Sequence, residues 1–340
     1  MRVSIIVDSG ARPSRFRIHP GQRSEMKPVT IPVLACRLYM ESKRKPAMIR
    51  NIVEKVYRSV IDRLPDYAAI NLMYFRAFRR LPNLRNPRTF NEKIAWRKLY
   101  QRNPQFPIFA DKIAVKAEIA KLIGEQHIIE TLWVGKNPED IPFDALKPPY
   151  VIKVNHSSGG NVFIRTAQDI KRDKIVASMR QQLEFSHGHM HREWGYLGIP
   201  HKVMVERMIE MPDDEVPEDY RFFTYHGRVH FIHVDYDRFR EHKRNLYDRE
   251  WNLLPAKLTH PPTSEPVSKP ANLGQMINLA ERIGAQFDFV RVDLYSPPQG
   301  ILFGEVTFYP CAGLQSFIPK DWDNKFGEPW KMPVSSPGDD

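Results

Sequence analysis

The sequence predicts an α+β fold, and two observations carry that prediction. Apolar residues recur at helical spacing through much of residues 48–123. From residue 150 onward the apolar runs shorten to strand length, turn signals separate them, and two pairs read as hairpins. Short antiparallel strands with intervening helices satisfy both observations.

Taken in order, residues 1–47 scatter Pro, Arg and Ser without a sustained period and read as a basic, flexible tail. Residues 48–80 read as helical, with Ile49, Ile52, Val53, Val56, Val60 and Ile61 at helical spacing. The aromatic stripe Tyr67, Tyr74, Phe75 and Phe78 in this stretch reads as helix core or an interface. Residues 90–100 carry an apolar face through Ile94, Trp96 and Leu99, closing a helical N-terminal region over 48–110. A further helix is expected at about 111–123.

Beyond it, residues 150–154 form a short apolar strand bearing one lysine, and 202–209 form another. Residues 221–225 and 229–234 flank His226, Gly227 and Arg228, a hairpin turn. Residues 255–270, rich in Pro, Ser and Thr, read as a loop. A helix over 272–286 precedes two strands, 289–295 and 301–308, joined by Ser296–Gly300.

The chain has 340 residues, enough for one multi-lobed enzyme or two domains. No apolar run approaches the length of a membrane-spanning helix, and the opening residues are too quickly interrupted for a signal peptide. Cys36 and Cys311, the two cysteines, make neither a disulfide framework nor a zinc pattern and suit a reducing cytosol. The net charge of +11 is uneven. Residues 1–100 hold 22 Lys and Arg against 7 Asp and Glu, whereas 101–340 hold 29 against 33. The basic surplus of the first third suits an anionic partner: nucleic acid, an anionic membrane face or an acidic polymer; a solvated or disordered basic leader explains it equally well.

Two segments carry chemistry. Side chains alternate along a strand, so Arg291, Asp293 and Tyr295 share a face, as do Ile301, Phe303, Glu305 and Thr307 on the partner. A symmetric five-residue loop puts Arg291 opposite Glu305 and makes Asp293 and Glu305 diagonal neighbours. Two carboxylates so placed can hold Mg²⁺, and Arg291 can steady a phosphate. A plain Arg291–Glu305 cross-strand ion pair fits the same spacing. The second segment runs from Val151 to Asn161: a strand lysine, Lys153, followed by a small Ser/Gly turn whose backbone N–H groups can cradle phosphate oxygens. An ordinary strand-to-turn transition fits it too.

The order of these pieces resembles the ATP-grasp superfamily, and six segments resemble the TupA-like ATP-grasp family, associated with teichuronopeptide and polysaccharide synthesis. They are Thr89-Phe-Asn-Glu-Lys-Ile94, Asp111-Lys-Ile-Ala-Val-Lys116, Val151-Ile-Lys-Val-Asn-His-Ser-Ser-Gly-Gly160, Asp219-Tyr-Arg-Phe-Phe223, Arg291-Val-Asp-Leu-Tyr295 and Gly304-Glu-Val-Thr-Phe-Tyr-Pro310. The resemblance spans about residues 88–330. It implies an ATP-grasp fold with antiparallel sheets enclosing the nucleotide over 111–330, a nucleotide-clamping lobe at about 150–205 and a metal-binding lobe at about 206–330. It further implies Lys116 and Lys153 on the nucleotide phosphates, with His156, Ser157, Ser158, Gly159 and Gly160 in the loop over them. Glu206 would lie at the adenine and ribose edge, and Asp293 and Glu305 on Mg²⁺. Thr307, whose hydroxyl is a weaker metal ligand than an amide oxygen, stands where most ATP-grasp enzymes carry a metal-binding Asn. Arg221, Arg238 and Arg291 are implied at the substrate carboxylate or transferring phosphate.

The implied activity is an ATP- and Mg²⁺-dependent carboxylate–amine ligase, cytoplasmic or peripheral at the inner membrane face. Its carboxylate and amine substrates would be linked to an acidic surface polymer. A glycosyltransferase-like role in polysaccharide assembly is the alternative, against which stands the lack of an Asp-X-Asp motif at a strand end. Nucleic acid is not expected, since no recognised binding motif accompanies the charge. His187, His189 and His191, with Glu193, read as loop histidines in preference to a metal site.

Overall fold

A computed structural model describes residues 47–212, 217–236, 241–258, 260–265 and 267–332, with side chains from Lys55 onward except that of His187. The predicted basic tail and Arg238 lie outside the described residues. The chain divides into two compact units, residues 1–57 and 58–340. Of the first, residues 47–57 are described, all of them helical.

The predicted helix over 48–80 is two helices, α1 (Ala47–Asp62) and α2 (Asp66–Phe78). Pro65 separates them, because it lacks an N–H and disfavours helical backbone at the residue before it. The aromatic stripe splits accordingly. Tyr74 is buried and packs on Phe78 at 4.5 Å, whereas Tyr67 is exposed.

Helix α3 (Phe90–Tyr100) opens on a capping box. Thr89 Oγ1 accepts the Glu92 N–H, and the Glu92 carboxylate accepts the Thr89 N–H. Two short helices follow, α4 (Gln105–Ala110) and α5 (Ala114–Ile123). The latter starts three residues later than expected, because the Asp111 carboxylate accepts the Ile113 N–H in a turn at 2.8 Å.

The first sheet is wholly antiparallel, in the order β1–β4–β2–β3: β1 (Thr131–Gly135), β2 (Tyr150–Val154), β3 (Val162–Ile164) and β4 (Val203–Arg207). Its apolar face packs Ile152, Val154, Val203 and Val205 against Ile175 and Met179 of α6 (Arg172–Glu184). The short helix α7 (His187–His191) stands where a loop was expected.

The second sheet has the order β10–β9–β5–β6–β7, with β5 (Asp219–Tyr225), β6 (Arg228–Tyr236), β7 (Lys243–Asp248), β9 (Phe289–Tyr295) and β10 (Leu302–Thr307). The hairpin at His226 and Gly227 forms as expected, both residues having left-handed φ. Helix α8 (Leu273–Gly284) packs Met276, Ala280 and Ile283 on one face of the sheet, and a ring cluster centred on Phe90 packs on Phe223 and Phe289 of the other. The loop over 255–270 contributes one two-residue strand, β8 (Lys257–Leu258), which pairs with β11 (Phe317–Ile318). Helix α9 (Trp322–Gly327) follows.

The register of the last hairpin departs from the symmetric expectation. Tyr295 pairs with Leu302 in place of Ile301, and Asp293 pairs directly with Glu305, so these carboxylates are cross-strand partners and not diagonal ones. A β-bulge between Phe303 and Glu305 causes the shift. Phe303 and Val306, three residues apart, are both buried in the core, which period-2 alternation alone forbids. The bulge falls at Gly304, where a Cβ would stand 3.1 Å from the Asp293 carbonyl oxygen and 3.0 Å from the Tyr295 ring.

Candidate active site

Strand β2 ends at Val154 and passes into the Ser/Gly loop. Gly159 and Gly160 both have left-handed φ (84° and 68°), a conformation glycine adopts without a Cβ penalty. Ser158, Gly159 and Gly160 are exposed, and Ser157 is buried. His156, grouped with this loop by sequence, is turned into the protein. It stacks on His201 at 3.5 Å, and its Nε2 donates to the Phe185 carbonyl. Burial, with His201 beside it, lowers its pKa to about 4, so the ring is neutral. It supports the base of the loop.

Glu206, at the end of β4, is buried between Lys116 and Lys153. Lys116 Nζ lies 2.6 Å from Oε1, and Lys153 pairs with Oε2. Burial would raise the Glu206 pKa, but the two ammonium groups bring it below the usual carboxylate range. Lys116 also donates to the Ile129 carbonyl (2.7 Å) and the Thr131 hydroxyl (2.6 Å). The two lysines expected on phosphates are therefore gathered on one acid.

On the second sheet, Arg291 grips Asp293 through Nε (2.7 Å) and Nη2 (2.6 Å), and its Nη2 reaches Glu305 at 3.2 Å. Arg221, from β5, adds a contact to Asp293 at 3.4 Å and bridges to Asp219 and Asp235. Thr307 Oγ1 lies 3.5 Å from Glu305. Burial, helped by Asp219 and Glu305, pushes Asp293 up to about 7. Glu305, less enclosed, is held down to about 2 by Lys112 and Arg291 against the opposing effect of burial.

Lys112 is a site residue that sequence reasoning passed over. Its Nζ donates to the Ser157 carbonyl (2.7 Å) and lies 3.7 Å from Glu305 Oε2. The signal was present, since Lys112 sits in the same quoted segment as Lys116, but nothing local distinguished the two.

The acids and hydroxyl fit a hard cation. Asp293, Glu305 and Thr307 offer only oxygen donors, two of them on directly paired strand positions, and such donors suit Mg²⁺. Every one of these carboxylates is already drawn to a cationic side chain, which marks the place as one where positive charge is stabilised. The side chain of His187 lies outside the described ones, and among the described residues no three His, Cys, Asp or Glu side chains converge as a metal cluster.

Comparison with known families bears on this geometry. The sequence pattern of the TupA-like ATPgrasp family matches residues 92–331. The chain belongs to this family. That match covers every described residue of the site, from Lys112 to Thr307. No curated protein matches the sequence. Among solved structures, the chain is similar to D-alanine–D-alanine ligase from Bacillus anthracis complexed with ATP (19% identity, 59% of this chain and 55% of that one, TM-score 0.35). It is similar also to D-alanine–D-alanine ligase from Helicobacter pylori (10% identity, 72% and 69%, TM-score 0.41). A third is the ATP-grasp ligase PsnB with minimal precursor, Mg and ADP (10% identity, 87% and 75%, TM-score 0.38). The chain spans little more than half the length of the B. anthracis ligase. Among the described residues, no helix of this TupA-like chain is long and apolar enough to cross a membrane.

Proposed function

We propose that this TupA-like ATP-grasp chain is an ATP- and Mg²⁺-dependent ligase joining a carboxylate to an amine during assembly of a bacterial cell-surface polymer. The observation that carries the reading is Lys112, which touches both the Ser/Gly loop and the Glu305 carboxylate. That one lysine reaches the loop proposed to cradle phosphate and an acid proposed to hold the metal supports the reading.

In this reading the first sheet belongs to the nucleotide-clamping lobe and the second to the metal-binding lobe, within a catalytic region over 111–330. Lys116 and Lys153 exchange Glu206 for phosphate oxygens, and the exposed Ser158–Gly160 backbone closes over them. Glu206, released, is free for the ribose edge. Asp293, Glu305 and Thr307 would hold Mg²⁺, which supplies charge neutralisation between the phosphates. A substrate carboxylate oxygen attacks the γ-phosphorus and ADP leaves, giving an acyl phosphate. The amine nitrogen then attacks the acyl carbon, the C–O bond to phosphate breaks, and the amine gives up a proton. Arg291 and Arg221 orient the carboxylate and offset charge on the moving phosphoryl group. Arg238 is proposed to assist. The chain would work on the cytoplasmic side, with its basic first third toward an acidic polymer or anionic lipid.

Calorimetric titration of Mg-ATP into the wild type, Lys153→Ala and Glu305→Ala tests this, followed by phosphate release on adding acids and amines. Binding by the wild type that weakens in both variants is expected. No binding by folded wild type overturns the ligase reading.

A further inference from the structure

A cavity of about 590 Å³ lies on the second-sheet side of the molecule, between the segment that begins at β8 and the loop following β10. Its size is that of a small-molecule site. Pairing of β8 with β11 ties the two walls together. The loop wall is fixed from behind by α3. Lys98 Nζ donates to the Ala312 carbonyl (2.7 Å), Asn91 Nδ2 donates to the Gln315 carbonyl (3.0 Å), and Ile94 lies so close to Gly313 that a Cβ there would fall 2.6 Å from it. Cys311, Ala312 and Gly313 are all held at left-handed φ, so this wall is shaped by tertiary contacts and not by local preference.

A continuous line of side chains joins the cavity to the candidate metal acids. Arg221 touches Asp293 (3.4 Å) and Asp235 (2.9 Å). Asp235 binds His242 (2.8 Å) and Arg244 (2.6 Å). His242 stacks on His260 at 3.7 Å, and His260 lines the cavity. The Arg244 N–H bonds the carbonyl of Pro261, another lining residue.

One lysine lines the cavity. Lys112, Lys116, Lys153, Arg221, Arg244 and Arg291 each face a carboxylate. Lys257 lines the cavity, is exposed, and pairs with no acid among the described residues; no acidic residue lines the cavity either. Beside it, Pro261, Leu314 and Ile318 offer an apolar face.

We propose that this cavity receives the acidic substrate and that the substrate carries a second carboxylate, beyond the one that reacts, which Lys257 binds. Its connecting portion is a methylene chain or sugar-ring face laid on Pro261, Leu314 and Ile318. The inference rests on the ligase reading for the fate of the first carboxylate, but the cavity's preference for a diacid is measurable without turnover.

Cys311 is exposed, lines the cavity and reports its occupancy. In a Cys36→Ser background, the rate at which iodoacetamide modifies Cys311 is followed by mass spectrometry. The added probes are glutarate, butyrate or glutaramide at millimolar concentration. Glutarate is expected to slow modification at least threefold while butyrate and glutaramide do not, and Lys257→Glu and Lys257→Gln are expected to lose that protection. Equal protection by butyrate, protection retained in both variants, or none by glutarate overturns the proposal. Mg-ATP titration of the same wild-type protein reports the ligase reading separately, so protection without ATP binding fails that reading alone, and ATP binding without protection fails this inference alone.

Discussion

The Lys112 ammonium lies 3.7 Å from the Glu305 carboxylate, and its bond to the Ser157 carbonyl ties the loop after β2 to β10 of the other sheet. A single cation therefore answers to both halves of the proposed site. Lys112→Met removes the charge while keeping most of the side-chain length. A fall of roughly tenfold in Mg-ATP affinity, about 1.4 kcal/mol, is expected with little change in melting temperature. Calorimetry with a parallel melting curve checks it, and unchanged affinity would show that Lys112 only ties the loop down.

Gly304 sets the height of Glu305 against Asp293. A Cβ at this position meets the Asp293 carbonyl and the Tyr295 ring at 3.0–3.1 Å, so β10 must shift to admit it. Gly304→Val is expected to destabilise the protein by roughly 1–3 kcal/mol, in the range of overpacking. It should also weaken Mg²⁺-dependent ATP binding more than metal-free ATP binding. Urea denaturation and paired titrations, with and without Mg²⁺, separate the two effects.

Arg97 is fully buried and donates to the carbonyls of Phe289 (3.0 Å) and Phe308 (3.1 Å) and to Asp288 (2.7 Å), with its guanidinium 4.2 Å over the Trp330 ring. It thereby holds the start of β9 and the end of β10, between which the candidate metal acids Asp293 and Glu305 lie. Arg97→Met leaves Asp288 and two carbonyls without that donor. A loss of about 3–5 kcal/mol in chemical denaturation is expected, the usual cost of removing one partner of a buried ion pair. A loss below 1 kcal/mol would mean water replaces the guanidinium.

His156 gives the stability a pH dependence of defined sign. Its folded pKa of about 4 lies below the ordinary value of 6.5, so the unfolded chain takes up a proton that the folded protein refuses. The contribution is intact above about pH 6.5, declines as pH falls, and is fully lost below about 4. Across that window the loss is on the order of 3 kcal/mol. Denaturation curves between pH 7 and pH 4 should be flatter for His156→Gln than for wild type; parallel curves would assign the acid sensitivity elsewhere.

Much of the fold is legible in particular residues. The Thr89–Glu92 capping box and the apolar positions Ile94 and Trp96 mark α3, and Val203–Val205 and Phe289–Leu294 read as strands because their neighbours are apolar or β-branched. The turn at His226 and Gly227 declares its hairpin. Strand β7 escaped notice because Lys243–Asp248 is largely polar. Its polar residues are buried because Arg244 pairs with Asp235 and Asn245 bonds Thr263, while Leu246 and Tyr247 enter the core. Likewise α3 looks amphipathic, yet Asn91, Lys93, Arg97 and Lys98 are buried with their polar ends on backbone carbonyls and acids far along the chain.

The sequence by itself determined that Arg291 and Asp293 share one face of a strand and that a strand lysine leads into a glycine turn. Both follow from side-chain alternation and backbone freedom, which are local properties. Only the tertiary structure decided that Asp293 meets Glu305 head-on, that Lys112 stands beside them, and that Lys116 and Lys153 share Glu206. The first depends on a bulge that lets Phe303 and Val306 both enter the core, and the others on where separate sheets and helices come to rest. Such relationships are fixed by packing between segments distant along the chain, which no local pattern of residue types records.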